Sequence, residues 1–380
     1  MRTIYLDNNA TTAPHPTVIE AMRHVLEHVP GNPSSIHGPG QAARAVVDAA
    51  RVDVAALLGA RPTEIVFTSG GTEAINTALH ACVQSAPTGS RRIIRSTVEH
   101  EAVIEAALHG ADEVSVVGVD AEGRLDLAGL TRELARPACC VSLMLSNNET
   151  GVLLPIQEAA ALARAARVPL HVDAVQAVGK SVLNVEEIGC DYLSIAAHKF
   201  HGPKGVGALF VRRGAAFVPL LRGASHESAR RAGTENTAAL AGMAAAARVM
   251  GCGISERRAH LRQLTVRLEA LLADIPGVRF QGAGAERMPG TTNVAFEGLE
   301  GAGVVLRLAR EGIAISSGSA CSASMGGGSH VLEAMGVPYS HLFGAIRVSL
   351  CKQNTADEID LAAAAIARAV LALRELLPGV

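Results

Sequence analysis

Between residues 60 and 215 the apolar positions fall in short runs, at 65–68, 92–94, 114–117, 140–145, 170–173, 192–195 and 207–211. Runs of this length, rich in Val, Ile and Leu, read as β-strands. Stretches with helical spacing separate them. This alternation predicts an α/β fold with a mainly parallel seven-stranded sheet sandwiched by helices. Ligands in such folds gather at the carboxyl ends of the strands. Further on, an alanine-rich stretch (237–249) and one with its charges on one side (255–273) read as helices. Beyond Gly277 the order becomes strand (293–296), helix (303–310), strand (313–316), strand (346–350) and a final helix (356–376), a smaller α+β domain. The expected division is a large domain over 16–255 and a small domain made of 1–15 plus 256–380. No repeat at a solenoid period interrupts this order.

Composition narrows the function. With 380 residues, 49% hydrophobic and 18% charged, the chain is long enough for two domains and has the make-up of a packed protein. Thirty-four basic residues against 36 acidic ones leave a formal charge of −2, without a field that would draw nucleic acid or an anionic membrane. A small neutral or zwitterionic substrate suits it better. The N-terminus lacks the apolar core of a signal peptide, and no apolar run reaches the roughly 18 residues that span a bilayer. A cytoplasmic protein is expected. Seven cysteines without C-x-x-C spacing argue against a disulfide framework or a zinc ribbon. Cys139 and Cys140 sit in an apolar run and read as strand core, whereas Cys321 has polar, glycine-rich surroundings.

Three places hold candidate chemistry. Phe67-Thr-Ser-Gly-Gly71-Thr72-Glu73 follows a strand and opens a helix, which sets backbone N–H groups for an anion; the same residues also suit an ordinary N-cap. The strand 170–173 ends in Asp173, with Gln176 three residues on. A carboxylate there can hold a nitrogen heterocycle protonated, or simply cap the next helix. After the strand 192–195 comes His198-Lys199, followed by a Gly/Pro turn, a setting that holds a Schiff-base lysine rigid. His198 and His201 have H-x-x-H spacing, but no third ligand is suitably spaced, so no metal is expected. Residues 316–329 hold one cysteine, Cys321, among small residues and four glycines, a composition that builds no core and suits a swinging thiol.

Together with Gly31-Asn-Pro-Ser-Ser-Ile-His37, Ser146-Asn-Asn-Glu-Thr-Gly151, Arg230-Arg-Ala-Gly-Thr-Glu-Asn236 and Ser316-Ser-Gly-Ser-Ala-Cys321, these motifs resemble the cysteine desulfurases, fold-type I pyridoxal-phosphate enzymes of class V aminotransferase type. The resemblance is to the nitrogen-fixation and iron–sulfur-cluster branch, and runs collinearly from Tyr5-Leu-Asp-Asn-Asn-Ala-Thr-Thr12 to Arg347-Val-Ser-Leu350.

The resemblance implies pyridoxal 5'-phosphate as cofactor, held covalently by Lys199, with Asp173 on the ring nitrogen and His100 stacked on the ring and moving protons. It places Asn148 and Gln176 on the ring's phenolic oxygen. Gly71, Thr72 and His198 would hold the phosphate, joined by Thr234 from the neighbouring subunit of a homodimer. Arg347 would clamp the carboxylate of the L-cysteine substrate, with Asn148 beside it. Lys199 would remove the α-proton and Cys321 would take the sulfur as a persulfide for an acceptor protein, an iron–sulfur scaffold or another. A selenocysteine lyase, another fold-type I reaction such as transamination, and a non-catalytic sulfur-relay scaffold are the alternatives. Three positions depart from the family pattern: Ala196 where many relatives have a phosphate-binding Ser, His226 shifted by one position, and Gly328 in place of a frequent Pro.

Overall fold

The computed structural model describes residues 3–317 and 328–376. All seven runs read from the sequence join one sheet, in the spatial order Ile65–Thr68, Gly207–Val211, Tyr192–Ala196, Leu170–Asp173, Cys140–Met144, Arg92–Ser96, Glu113–Val117. Gly207–Val211 is antiparallel to both its neighbours, and every other pairing is parallel. Its direction follows from its connection. Between Ala196 and Gly207 the chain makes only a short helical turn at Ala197–Lys199, too little to cross back over the sheet.

Successive residues of these strands face opposite layers, as the pleat requires. Ile65, Phe67, Ile94, Leu193 and Phe210 enter a cluster with Val47, Val54, Leu240 and Met243. Their neighbours Val66, Ile93, Tyr192 and Leu209 enter another with Ile75, Leu79 and Val103. Covering both faces is why apolar residues occur on both sides of these strands. Cys139 and Cys140 are buried as expected, Cys140 opening the strand Cys140–Met144. Within the sheet, His171 lies between Ser142 Oγ and Ser194 Oγ, each 2.8 Å away. Burial pushes its imidazole down to about 3, so it is the neutral form that bridges three strands. The alanine-rich helix Thr237–Gly251 packs on Pro16–His28 and Gly38–Leu58. A Cβ on Gly242 would stand 2.7 Å from Met22 Cγ, and its absence lets two of these helices approach.

A second sheet is wholly antiparallel, in the order Ser316–Ser317, Ala345–Ser349, Thr291–Phe296, Val278–Phe280. Leu6, Leu261, Leu264, Val294, Phe296, Ile346, Val348 and Ile366 form its core, with helices Ile254–Leu272 and Ala356–Leu376. The single strand expected over 313–316 is divided at Ile315. Ile313–Ala314 pairs in parallel with Ile4–Tyr5, while Ser316–Ser317 crosses to Ala345–Ser349. Ile313 and Ile315 both enter the core, so the local pattern is that of one strand; the change of partner is a tertiary event. The N-terminal segment continues past Ala345–Ser349 through an Asp7–Ser349 bridge, which brings Asn9 and Ala10 to the carboxyl edge of the large sheet. No single described helix is long and apolar enough to cross a membrane.

Candidate active site

Five strand ends converge on one cavity of about 280 Å3. Ile65–Thr68 leads into helix Gly71–Ser85, whose Gly71 and Thr72 line the cavity. Arg92–Ser96 leads to His100, whose Nδ1 accepts the Ala102 N–H at 3.0 Å and caps helix Glu101–Gly110. Cys140–Met144 delivers Ser146 and Asn148, Leu170–Asp173 delivers Asp173, and Tyr192–Ala196 delivers His198 and Lys199. Arg347, from the second sheet, and Asn9, from the N-terminal segment, complete the wall.

Lys199 Nζ donates to the carbonyls of Asn9 (2.6 Å) and Ala10 (2.8 Å). Gln176 Nε2 donates to the same Asn9 carbonyl at 2.9 Å. Asn9 Nδ2 in turn donates to Asn148 O (3.1 Å) and Thr291 Oγ1 (3.0 Å). Asp173 is buried and accepts the Val175 N–H at 2.9 Å. Burial raises its pKa, against the pull of His100 and Lys199, so a further cation bound beside it would favour the carboxylate. His198 is pushed down to about 4 by burial and by Lys199 and Lys204; its neutral ring meets Thr11 Oγ1 at 3.2 Å. Arg347 is 4% exposed. Its Nη2 pairs with Asp7 at 2.9 Å, Nη1 donates to Asn148 O at 3.1 Å, and Nε is buried without a partner among the described residues.

The helix start at Gly71 is built for close approach. A Cβ there would lie 2.9 Å from Val175 Cγ2 and 3.5 Å from Ala196 Cβ. Its first-turn carboxylate, Glu73, is engaged by Arg231 (2.8 and 3.1 Å) and by the Ser69 N–H (2.8 Å). Burial raises the Glu73 pKa, but these donors outweigh it and hold the carboxyl below its ordinary range. The positive end of the helix therefore faces the cavity with Gly71 and Thr72. The Ala196 methyl occupies the place beside them where a hydroxyl would add a donor. Ala196→Ser is expected to slow loss of a bound phosphate ester by about tenfold, the effect of one added charge-assisted hydrogen bond. Fluorescence-monitored dissociation of such an ester checks it, and an unchanged or faster release would refute it.

Nine of the sequence-marked residues thus meet: Gly71, Thr72, His100, Asn148, Asp173, Gln176, His198, Lys199 and Arg347. Thr234 is exposed and stands outside the lining of this cavity. Cys321 lies outside the described residues, but both flanks of its segment are at the site. Ser316 pairs in register with Arg347, and Ser329 Oγ donates to Glu149 Oε2 at 2.5 Å. His226 takes no part in the cavity; its Nδ1 accepts the Gly233 N–H at 3.3 Å. His201 Nδ1 lies 2.9 Å from Ala13 O, and no group of three metal-ligating side chains occurs among the described residues. Sequence reasoning left out Asn9, although its motif was legible. It also left out Glu99, which is fully buried next to His100 and pushed up to about 8 by burial. Glu99 accepts from Ser96 Oγ (2.5 Å) and Met144 N (3.1 Å), while Oε2 has no partner among the described residues.

A mainly parallel sheet with a lysine, a buried acid and a helix N-terminus around one cavity at its carboxyl edge has the site architecture of an α/β enzyme. Residues 4–361 match the model of the aminotransferase class-V family. A cysteine desulfurase of Klebsiella pneumoniae is 46% identical over 383 aligned residues, covering 100% of this chain and 95% of that one. A solved NifS-like protein superposes with a TM-score of 0.91 at 35% identity, covering 98% of this chain and 100% of its own. A structure described as SspA in complex with cysteine superposes with a TM-score of 0.81 at 28% identity, over 93% of this chain and 100% of that one. The chain belongs to the aminotransferase class-V family and, within it, to the cysteine desulfurases. Enzymes of this family work with pyridoxal phosphate. The residues fit that group: a helix start, a lysine amine and a buried carboxylate surround this cavity, with Arg347 Nε a buried donor without a partner among the described residues.

Proposed function

We propose that this chain takes sulfur from free L-cysteine, releasing L-alanine and keeping the sulfur as a persulfide on Cys321. Pyridoxal phosphate, when bound, supplies an electron sink for the substrate's α-carbon. Gly71, Thr72 and His198 would hold its phosphate, Asp173 its ring nitrogen, and Lys199 its aldehyde carbon. Asn148 and Gln176 would serve its phenolic oxygen, and His100 its ring.

Arg347 receives the substrate carboxylate, for which a guanidinium already fixed by Asp7 and Asn148 O is pre-oriented. Lys199 Nζ takes the proton from the substrate's α-carbon. His100 has Nδ1 committed to the Ala102 N–H, so a neutral ring carries its proton on Nε2 and can deliver it. The Cys321 thiolate attacks the substrate sulfur. The new S–S bond forms as the carbon–sulfur bond breaks, the electron pair passes to the β-carbon, a proton is added there, and return of the proton held by Lys199 to the α-carbon completes alanine. The carbon gains the electrons that the sulfur loses, so no outside oxidant is needed.

The observation that carries this reading is the meeting of Lys199, Asp173 and Arg347 in one cavity. Exposure of Thr234, away from its own cavity, supports a homodimer in which Thr234 of the partner subunit completes the phosphate site. The persulfide then passes to an acceptor protein, with an iron–sulfur scaffold the favoured class. Entry of Leu6 into the core with Leu261 and Val348 supports assigning residues 1–15 to the small domain. In the test, enzyme loaded with cofactor is incubated with L-cysteine and a thiol reductant, and alanine and sulfide are measured. Equal yields of the two are expected. Turnover of selenocysteine without turnover of cysteine, or keto-acid formation in place of alanine, would overturn the reading.

A further inference from the structure

Lysine occurs at only four positions in this chain, 180, 199, 204 and 352, among 34 basic residues. Arginine serves nearly every other cationic role, so a lysine that the catalytic assignment does not use asks for a reason. Lys180 is half-buried, four residues after Gln176. Its Nζ donates to Asn9 Oδ1 at 2.8 Å and to Gln176 Oε1 at 3.1 Å. Asn9 is also where Lys199 ends, on the backbone carbonyl at 2.6 Å. Gln176 closes the ring by donating to that carbonyl at 2.9 Å. One asparagine therefore joins two ammonium groups, one through its side chain and one through its backbone.

Both acceptors of Lys180 are uncharged amide oxygens, which an amide donor would satisfy as well as an ammonium does. The property left to explain is the charge. The ionisable groups facing Lys180 are Lys199, Arg347 and the Cys351 thiol; His201 also feels its charge. Facing Lys199 are Asp173 and His198, and Asp7 is paired with Arg347. Burial, with repulsion from Lys199 and Arg347, pushes Lys180 down to about 7. Such repulsion is mutual, so the two amines lose their protons in steps that belong to the pair. An arginine at this position would stay charged at every pH; a lysine yields.

We propose that Lys180 is a positioning residue for Lys199: as the second ammonium of a pair bridged by Asn9, it disfavours a proton on the Lys199 nitrogen and keeps that amine nucleophilic at neutral pH. A neighbouring cation is a known means of activating a Schiff-base lysine. The inference rests on Lys199 as the residue that takes the cofactor.

The test is the rate of cofactor uptake by apoenzyme as a function of pH, since only the free amine condenses. Lys180→Gln, which keeps a donor for Asn9 Oδ1, and Lys180→Met are compared with the parent and with Lys180→Arg. Both neutral variants should move the midpoint upward by about one unit, making uptake about tenfold slower at pH 7 and equal to the parent at high pH. Lys180→Arg should keep the parent's midpoint or lower it. A midpoint unmoved in the neutral variants, or moved as far upward by Arg as by Gln, would overturn the proposal. If neither neutral variant folds, NMR of the parent apoenzyme with labelled lysine decides. The Lys199 signal, assigned by its absence in Lys199→Ala, should lose its proton near neutrality, and a Lys199 titration near pH 10, whether or not Lys180 titrates lower, would refute the proposal. Borohydride trapping run alongside keeps the two readings apart. Label on Lys199 with an unshifted midpoint removes only the role of Lys180, whereas label elsewhere removes Lys199 itself.

Discussion

Lys199→Ala is expected to lower alanine formation from L-cysteine by at least about a thousandfold while leaving the protein folded. The loss combines general-base catalysis at the α-carbon, worth about 10²–10⁴ in rate, with the covalent anchoring of the cofactor. The fold has little to lose, because Lys199 is only half-buried and the Asn9 carbonyl keeps the Gln176 amide donor when the ammonium is gone. Three measurements separate this from a general lesion. Thermal unfolding of the apoenzyme should stay within a few degrees of the parent. Borohydride should trap no cofactor on the protein, and the cofactor should become removable by dialysis. Lys199→Arg should not restore activity, since a guanidinium does not give up its proton. Alanine formed by Lys199→Ala at even a tenth of the parental rate would remove this residue from the chemistry.

The second large effect concerns sulfur. Cys321→Ser should abolish protein-bound persulfide and lower alanine formation by about a hundredfold or more, since a serine hydroxyl is not a nucleophile toward a thiol sulfur at neutral pH. The other cysteines do not replace it. Cys82, Cys139, Cys140 and Cys190 are buried, and burial pushes the Cys139 and Cys190 thiols up to about 12. Burial also raises the pKa of Cys351, which is half-buried. Cys252 is exposed but does not line the cavity, so Cys252→Ser serves as the control and should behave as the parent. The segment bearing Cys321 leaves beside Arg347 and returns at Ser329, held by Glu149. Burial raises Glu149 to about 7, with the Ser329 hydroxyl and Arg347 opposing the shift. Sulfur from labelled cysteine should map to Cys321 by mass spectrometry; label on Cys252 or Cys351 in the parent would contradict the assignment.

The strands of the large sheet and the type of residue at each strand end were legible in the sequence. A strand covered on both faces is apolar at most positions, and runs such as 65–67 and 207–211 have that property without reference to any partner. The residues that do chemistry follow directly in the chain: Asp173 ends one run, Lys199 follows another, and Gly71 opens the helix after a third. Local order therefore determined the fold class and the kind of chemistry.

Which distant residues meet was decided by the tertiary structure alone. Residues 313–316 read as one strand by pattern and belong to two by pairing, because strand partners are chosen across the fold. Asn9 precedes Lys199 by 190 positions, yet its carbonyl fixes that ammonium, and its side chain ties in Lys180 and the Asn148 carbonyl. Glu99 carries no signal in the sequence, and only its complete burial raises its carboxyl to about 8 next to His100. Arg347 reads as a strand arginine until Asp7 and Asn148 are seen to hold it at the cavity. Hydrophobic periodicity records whether a position is buried, and residue type records what it is able to do. Neither records the distance between side chains on separate elements, and the coupling between charges in this site depends on that distance.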